Sequence, residues 1–247
     1  SGKKVFTYSI GSFPTIRCLE QIRNGVCHHD ANVKIVGVGG GYSYGSLGVS
    51  HFATEDIAVL RVLPNMTVLV PGDPAEAEHA TRAAAAHQGP CYLRLGRDTD
   101  NLVHSASIQF ELGKALRIKS GTDLTVISAG GILHSCVQAA RELDAFGIST
   151  GVLSMHTVKP LDVDAVKAAA KSSGAIMTVE DHSILGGLGS TVAEVLAQTG
   201  RGTLAFRILG LPDKFPDEVG DQARLMEQAG LSVDGIVQAG AALVRGL

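Results

Sequence analysis

The sequence predicts an α/β protein built as two parallel-sheet domains in tandem. Three observations predict this class. Short apolar, β-branched runs alternate with longer amphipathic or Ala-rich stretches along most of the 247 residues, the pattern of βαβ units. Glycine clusters follow several of the apolar runs, at Gly37 to Gly41, Gly130-Gly131 and Gly186 to Gly189, where a parallel strand turns into its helix. The alternation breaks once, around residues 99–121, and then resumes. That break divides the chain into residues 1–105, a linker over 106–121, and residues 122–247.

The elements follow in order. Lys3-Lys4 leads into an apolar strand over residues 5–10, with no starting Met, so the chain reads as beginning inside a domain. A helix is predicted over residues 14–27. Pro14 suits a first helical turn, and Ile16, Leu19, Ile22 and Val26 recur at helical spacing. A strand over 33–38 feeds the glycine-rich loop, and acidic Glu55 and Asp56 open a helix over 54–63. A strand over 67–70 stops at Pro71. Asp73-Pro74 starts an Ala-rich helix to about residue 87, followed by a strand over 91–95. An edge strand is predicted near 115–118. The second series comprises strands over 124–128, 150–154, 175–179 and 204–209. Its helices cover 132–146, 162–172, the stretch from about 190 to 198, 221–229 and 233–245. Glu180 to Gly189 reads as a loop.

Composition narrows the function. The net charge is −3 with both signs mixed, and Trp is absent. That argues against a nucleic-acid surface or a stacking platform. No run is long enough to span a membrane and no basic-then-apolar leader is present. Cys18, Cys27, Cys91 and Cys136 form neither a C-x-x-C pair nor a disulfide framework, which suits a reducing cytoplasm. The expected location is cytoplasmic.

Chemistry concentrates in the loop after the second strand, which carries Tyr42, Ser43, Tyr44, Ser46, Ser50 and His51. It matches neither G-x-G-x-x-G nor a P-loop. His51 is the leading acid–base candidate, and a structural imidazole is the competing reading. Arg94 and Arg97 flank Leu95-Gly96 at a strand's carboxyl end, where guanidinium groups hold phosphate or carboxylate. Arg97 lies past the strand and is the better anion ligand; an ion pair is the alternative. Glu180-Asp181-His182 reads either as a charge relay or as a domain contact. His28-His29-Asp30 reads as a helix cap, and no metal-ligand set is predicted in this chain.

These residues resemble a known family. Ser50-His51, Glu55-Asp56-Ile57, Leu60-Arg61, Pro64-Asn65-Met66 and Pro71-x-Asp73 are similar to the pyrimidine-binding domain of transketolases and deoxyxylulose-phosphate synthases. Arg17 to Arg23 resembles a helix of that domain. Val179 to Gly189 resembles the start of a Gly-rich helix in the C-terminal domain. The resemblance implies thiamine diphosphate and Mg²⁺, with the cofactor's ylide attacking a ketose carbonyl and carrying off a two-carbon unit. It implies that His51 contacts substrate with Ser50 beside it, while Arg94 is expected to bind substrate from its place beside Arg97 at the strand end. It implies that Arg97 holds the sugar phosphate and that Phe13 packs on the pyrimidine. No G-D-G…N motif occurs, and the family's ring-protonating Glu lies upstream of residues 3–9. The resemblance therefore implies an N-terminal transketolase subunit as partner, holding diphosphate and Mg²⁺ in a heterotetramer. The family's acidic loop pair is here Ser46-Leu47, which leaves the ketose open. A deoxyxylulose-phosphate synthase, a 2-oxo acid dehydrogenase β-subunit and a non-catalytic partner are the alternatives.

Overall fold

A computed structural model describes residues 2–97, 101–104, 108–199 and 204–246. Two five-stranded sheets carry helices on their faces. The first has strand order β1(Val5–Ile10), β2(Val33–Val38), β4(Cys91–Leu95), β3(Thr67–Leu69), β8(Thr157–Lys159). The second has order β10(Ala205–Leu211), β9(Ala175–Ser183), β6(Leu124–Ala129), β7(Thr150–Ser154), β5(Leu116–Lys119). Four strands of each sheet run parallel, and the last strand of each, β8 or β5, is antiparallel. The α/β class is as the sequence predicts; the antiparallel edges make each sheet mixed.

Strand β8 was not expected. It lies far along the chain yet pairs with β3 of the first sheet, Val68 opposite Lys159 and Leu69 opposite Thr157. Only three residues long, it carries too short an alternation to stand out from sequence. One hydrophobic core likewise runs through both sheets. Ile57, Leu60, Met66 and Tyr92 pack with Ile127, Leu153, Leu188 and Val192.

The helix expected over 14–27 is broken. A 3₁₀ turn at Ile16–Cys18 passes through one α turn, α1(Leu19–Gln21), into a π segment at Ile22–Cys27. Asn24 and Gly25 are weak helix formers, and wide backbone bonds appear instead, from His28 N to Arg23 O (3.0 Å) and Ala31 N to Val26 O (2.9 Å). Ile16, placed on the apolar face, is 41 % exposed.

The other helices are α2(Asp56–Arg61), α3(Pro74–Ala86), α4(Leu133–Ala145), α5(Val163–Ser172), α6(Leu188–Gln198), α7(Gln222–Gln228) and α8(Val233–Arg245). Capping explains several starts. The carboxylates of Asp73, Asp162 and Asp221 and the Ser232 hydroxyl each accept a backbone N–H one turn in. Strand β9 continues through Glu180-Asp181-His182, which sequence assigned to a loop. Three charged or titratable residues can stay in a buried strand because each finds partners. Glu180 accepts from Leu188 N (2.7 Å) and Gly189 N (2.8 Å). His182 Nδ1 lies 2.8 Å from Ser183 O, and its Nε2 accepts from Ala58 N at 3.2 Å. Asp181 meets Arg94. No helix among the described residues is long and apolar enough to cross a membrane.

Candidate active site

The order of the first sheet creates the site. Strands β1, β2 and β4 are neighbours and parallel, so their carboxyl ends lie side by side. Ligands of open α/β sheets bind at such ends. Gly11-Ser12-Phe13 follows β1, the glycine-rich loop follows β2, and Gly96-Arg97 follows β4.

The loop is shaped by its glycines. Gly39 has φ +83°, and a Cβ there would lie 2.2 Å from the Tyr44 ring; a side chain is excluded on both grounds. Gly41 and Ala53 exchange backbone bonds (2.8 and 3.1 Å) and close the loop's stem. Two successive 3₁₀ turns, Gly45–Leu47 and Val49–His51, fold the segment between.

Four of the expected residues, Phe13, Ser50, His51 and Arg97, come together there. The Phe13 and His51 rings are 5.2 Å apart, tilted 55°. Tyr44 lies 6.4 Å from His51, and the Arg97 guanidinium sits 4.6 Å over the Tyr44 ring, a cation–π geometry. Arg97 Nη1 donates to Ser43 O at 2.8 Å. Ser50 Oγ and His51 Nδ1 are 2.9 Å apart, and Ser12 Oγ donates to Ser50 O at 3.2 Å. His51 is half-buried, while Ser50 and Arg97 are exposed. One face of Phe13 is covered by Arg17, whose guanidinium carbon lies 3.9 Å from the ring centre.

Arg94 is placed differently from Arg97. It is 3 % exposed and points below the loop. Its Nε donates to Asp56 Oδ2 (2.8 Å), its Nη1 to Asp181 Oδ1 (2.6 Å), and its Nη2 to both Ala53 O (3.1 Å) and Asp181 O (3.0 Å). Every nitrogen is committed to protein, so the geometry corrects the expectation of a substrate-facing Arg94. Position is the reason: Arg94 sits inside β4, a central strand buried on both faces, whereas Arg97 lies past its end. Tyr92 also donates to Asp56. Burial alone would lower the Arg94 guanidinium, but Asp181 and Asp56 more than reverse it and raise it above its ordinary value. Burial, with Asp56 adjacent, holds the Tyr92 phenol well above its own. Asp56, assigned from sequence to a helix dipole, is fully buried in this ion cluster.

Tyr44 is the residue whose part in the site sequence reasoning missed; Asp181 makes the domain contact that was one of the two readings of Glu180-Asp181-His182. Tyr44 was visible as a loop hydroxyl, but its ring is what bridges His51 and Arg97. Nothing periodic marks it, because 3₁₀ turns repeat too briefly. A cleft of about 470 Å³ is lined by Asn101 and, from the second half, Gly131, Ser135, Asp181 and Gln222. Asn101 and Gly131 also line the pocket that holds Arg97. Among the described residues, no three His, Cys, Asp or Glu side chains converge on a metal-sized point. The aromatic wall of Phe13, Tyr44 and His51 fits the ring end of a heteroaromatic cofactor.

Comparison with known proteins agrees with this architecture. Residues 1–100 match the family model for the transketolase pyrimidine binding domain, and residues 113–236 match that for the transketolase C-terminal domain. The chain is 38 % identical over 237 residues to an apulose-4-phosphate transketolase subunit of Phocaeicola vulgatus, spanning 96 % of this chain and 75 % of the relative. It is also 38 % identical over 238 residues to a 6-deoxy-6-sulfo-D-fructose transketolase subunit of a Clostridium species, spanning 96 % and 73 %. A solved split-gene transketolase, described as an inactive β4 tetramer, superposes with TM-score 0.88 at 36 % identity, covering 99 % of this chain and 77 % of that one. With both domains matched in order along one polypeptide, this protein belongs to the transketolase family.

Proposed function

We propose that this chain is the pyrimidine-binding and C-terminal subunit of a split transketolase, moving a two-carbon ketol unit between sugar phosphates or related ketose and aldose substrates. Residues 1–105 form the pyrimidine-binding part and residues 122–247 the C-terminal part, joined by 106–121. The partner is an N-terminal subunit that holds the diphosphate and Mg²⁺, two copies of each chain forming a heterotetramer. The observation that carries this reading is the convergence of Phe13, His51, Tyr44 and Arg97 at the carboxyl ends of three adjacent parallel strands.

Thiamine diphosphate, when bound, supplies a stabilised carbanion for carbon–carbon cleavage. This chain's residues supply the rest. Phe13, one face of which is braced by Arg17, would pack on the pyrimidine. Ser50 orients the imidazole through Nδ1, which leaves Nε2 for the substrate. There His51 donates to a carbonyl oxygen and accepts the proton of a hydroxyl as the carbon–carbon bond changes, a task suited to an imidazole nitrogen that can either donate or accept. Arg97 commits Nη1 to Ser43 O and turns its remaining donors to an anion, held alike in ground and transition states.

The test is reconstitution. The chain is mixed with an N-terminal transketolase subunit, thiamine diphosphate and Mg²⁺, then assayed with a ketose-phosphate donor and an aldose acceptor. Pyruvate serves as the competing donor. Ketol transfer is expected, and His51→Ala should lower kcat about 10²–10⁴-fold while cofactor affinity barely moves. Turnover of pyruvate alone would instead support the synthase or dehydrogenase reading. Full turnover in His51→Ala with a lowered Tm would make the imidazole structural.

A further inference from the structure

The stem of the His51 loop rests on a side chain held from the opposite half of the molecule. Ala53, two residues past His51, is half of the Gly41–Ala53 bridge that closes the loop. Its carbonyl also accepts from Arg94 Nη2. That same nitrogen donates to Asp181 O, and Nη1 donates to the Asp181 carboxylate. Asp181 belongs to β9, in the second sheet. The contact is close on both strands of the stem. A Cβ at Gly40 would lie 2.2 Å from the guanidinium carbon, and one at Gly41 only 2.5 Å from Asp181 O. Ala53 Cβ in turn lies 2.7 Å from where a side chain on Gly11 would begin, so the stem also abuts the segment leading to Phe13.

We propose that Arg94 is a positioning residue through which Asp181 of the C-terminal half fixes the loop that carries His51. The proposal rests on the reading of His51 given above. A planar guanidinium is the side chain suited to this task. It donates in several fixed directions at once and stays charged when buried. Lys at this position would reach one or two of these acceptors and leave the others buried without a donor. The buried charge needs both carboxylates: removing one leaves Arg94 under-compensated and free to shift. A shift of Arg94 moves Ala53 O, and with it the stem, while Arg94 itself never touches substrate. The C-terminal half thereby shapes the site without lining the reacting atoms.

Asp181→Asn tests this. It removes the charge, keeps the side chain's size, and alters a residue outside the His51 loop. Amide hydrogen exchange is followed at Gly41, Gly45, Leu47, Gly48, His51 and Ala53, all hydrogen-bonded in the loop. The amides of Val126 and Ile127 in β6 report global opening. The loop amides should exchange at least ten-fold faster in the variant with the β6 amides unchanged. In the reconstituted enzyme kcat should fall at least ten-fold, with a smaller change in KM. Arg94→Lys provides a second route should Asp181→Asn fail to fold, and the same pattern is expected. Unchanged loop exchange, an equal acceleration of loop and β6 amides, or a loosened loop with wild-type kcat would each overturn the proposal. If the wild-type assembly shows no ketol transfer, the functional reading fails separately, and the exchange data still decide whether Asp181 and Arg94 hold the loop.

Discussion

Arg97 and Tyr44 divide one task between them. The guanidinium is exposed, and its direction is fixed by the Tyr44 face below it and the Ser43 carbonyl beside it. Arg97→Ala should raise KM for a phosphorylated substrate far more than it lowers kcat, because an anion handle is gripped equally before and during reaction. Losing a charge-assisted contact costs about 2–4 kcal/mol, which corresponds to tens to hundreds of fold in KM. Tyr44→Leu should give a smaller rise of a few fold, from a lost cation–π contact worth about 0.5–1 kcal/mol. Steady-state kinetics on phosphorylated and unphosphorylated donors reads both, and equal losses on the two donors would count against the assignment. That His51 and Arg97 lie in segments following strands was legible in sequence, whereas Phe13 entered only through the family resemblance. Arg94 was misread because sequence shows that a guanidinium is present but not which acceptors surround it. Asp56 and Asp181 lie 38 and 87 residues away.

Secondary structure was legible where periodicity runs long, as in α3, α4, α8 and the inner strands. It failed where tertiary partners override local preference, as in β8 and in the polar end of β9. The bend between β7 and β8 shows such an override with a measurable consequence. His156 is buried there, its ring stacked on Phe110 at 4.0 Å with Nδ1 2.9 Å from Thr157 Oγ1. Burial pushes the imidazole down to about 4, nearby His104 adds to this, and Asp162 opposes it. The sign follows from linkage. The unfolded chain binds this proton below about 6.5, whereas the native state refuses it until about 4. Stability from His156 is therefore complete above pH 6.5 and is lost as pH falls from 6.5 to 4, by about 3 kcal/mol in total. His156→Phe should flatten urea-derived stability against pH in that window. Glu76, whose carboxyl burial pushes up, has the opposite slope but is common to both proteins, so it drops out of their difference. Parallel curves for the two proteins would show that His156 is not the titrating group.

At the scale of the whole molecule, the two halves are readable in sequence, but their dependence on one another is not. Several ties among the described residues cross between them. Strand β8 completes the first sheet. Lys159 donates to Arg61 O and Leu63 O, capping the end of α2 from the other half. Arg61 in turn reaches Glu194 and Gly186 O, and Arg94 reaches Asp181. A chain cut at residue 105 loses all of these. It would leave β3 with an unpaired edge, and it would expose Ile57, Leu60 and Met66, which in the intact protein pack in one core with Ile127, Leu153 and Leu188. Unpaired buried backbone and uncovered apolar surface both oppose folding, and domain stability leaves little margin for either. Residues 1–105 alone should therefore give no cooperative thermal transition and should bind a hydrophobic dye, while the full chain melts in a single transition. A fragment over 1–105 with dispersed amide resonances and a sharp melt would mean that the first sheet stands without β8, and that the ties between the halves orient the site without holding the fold.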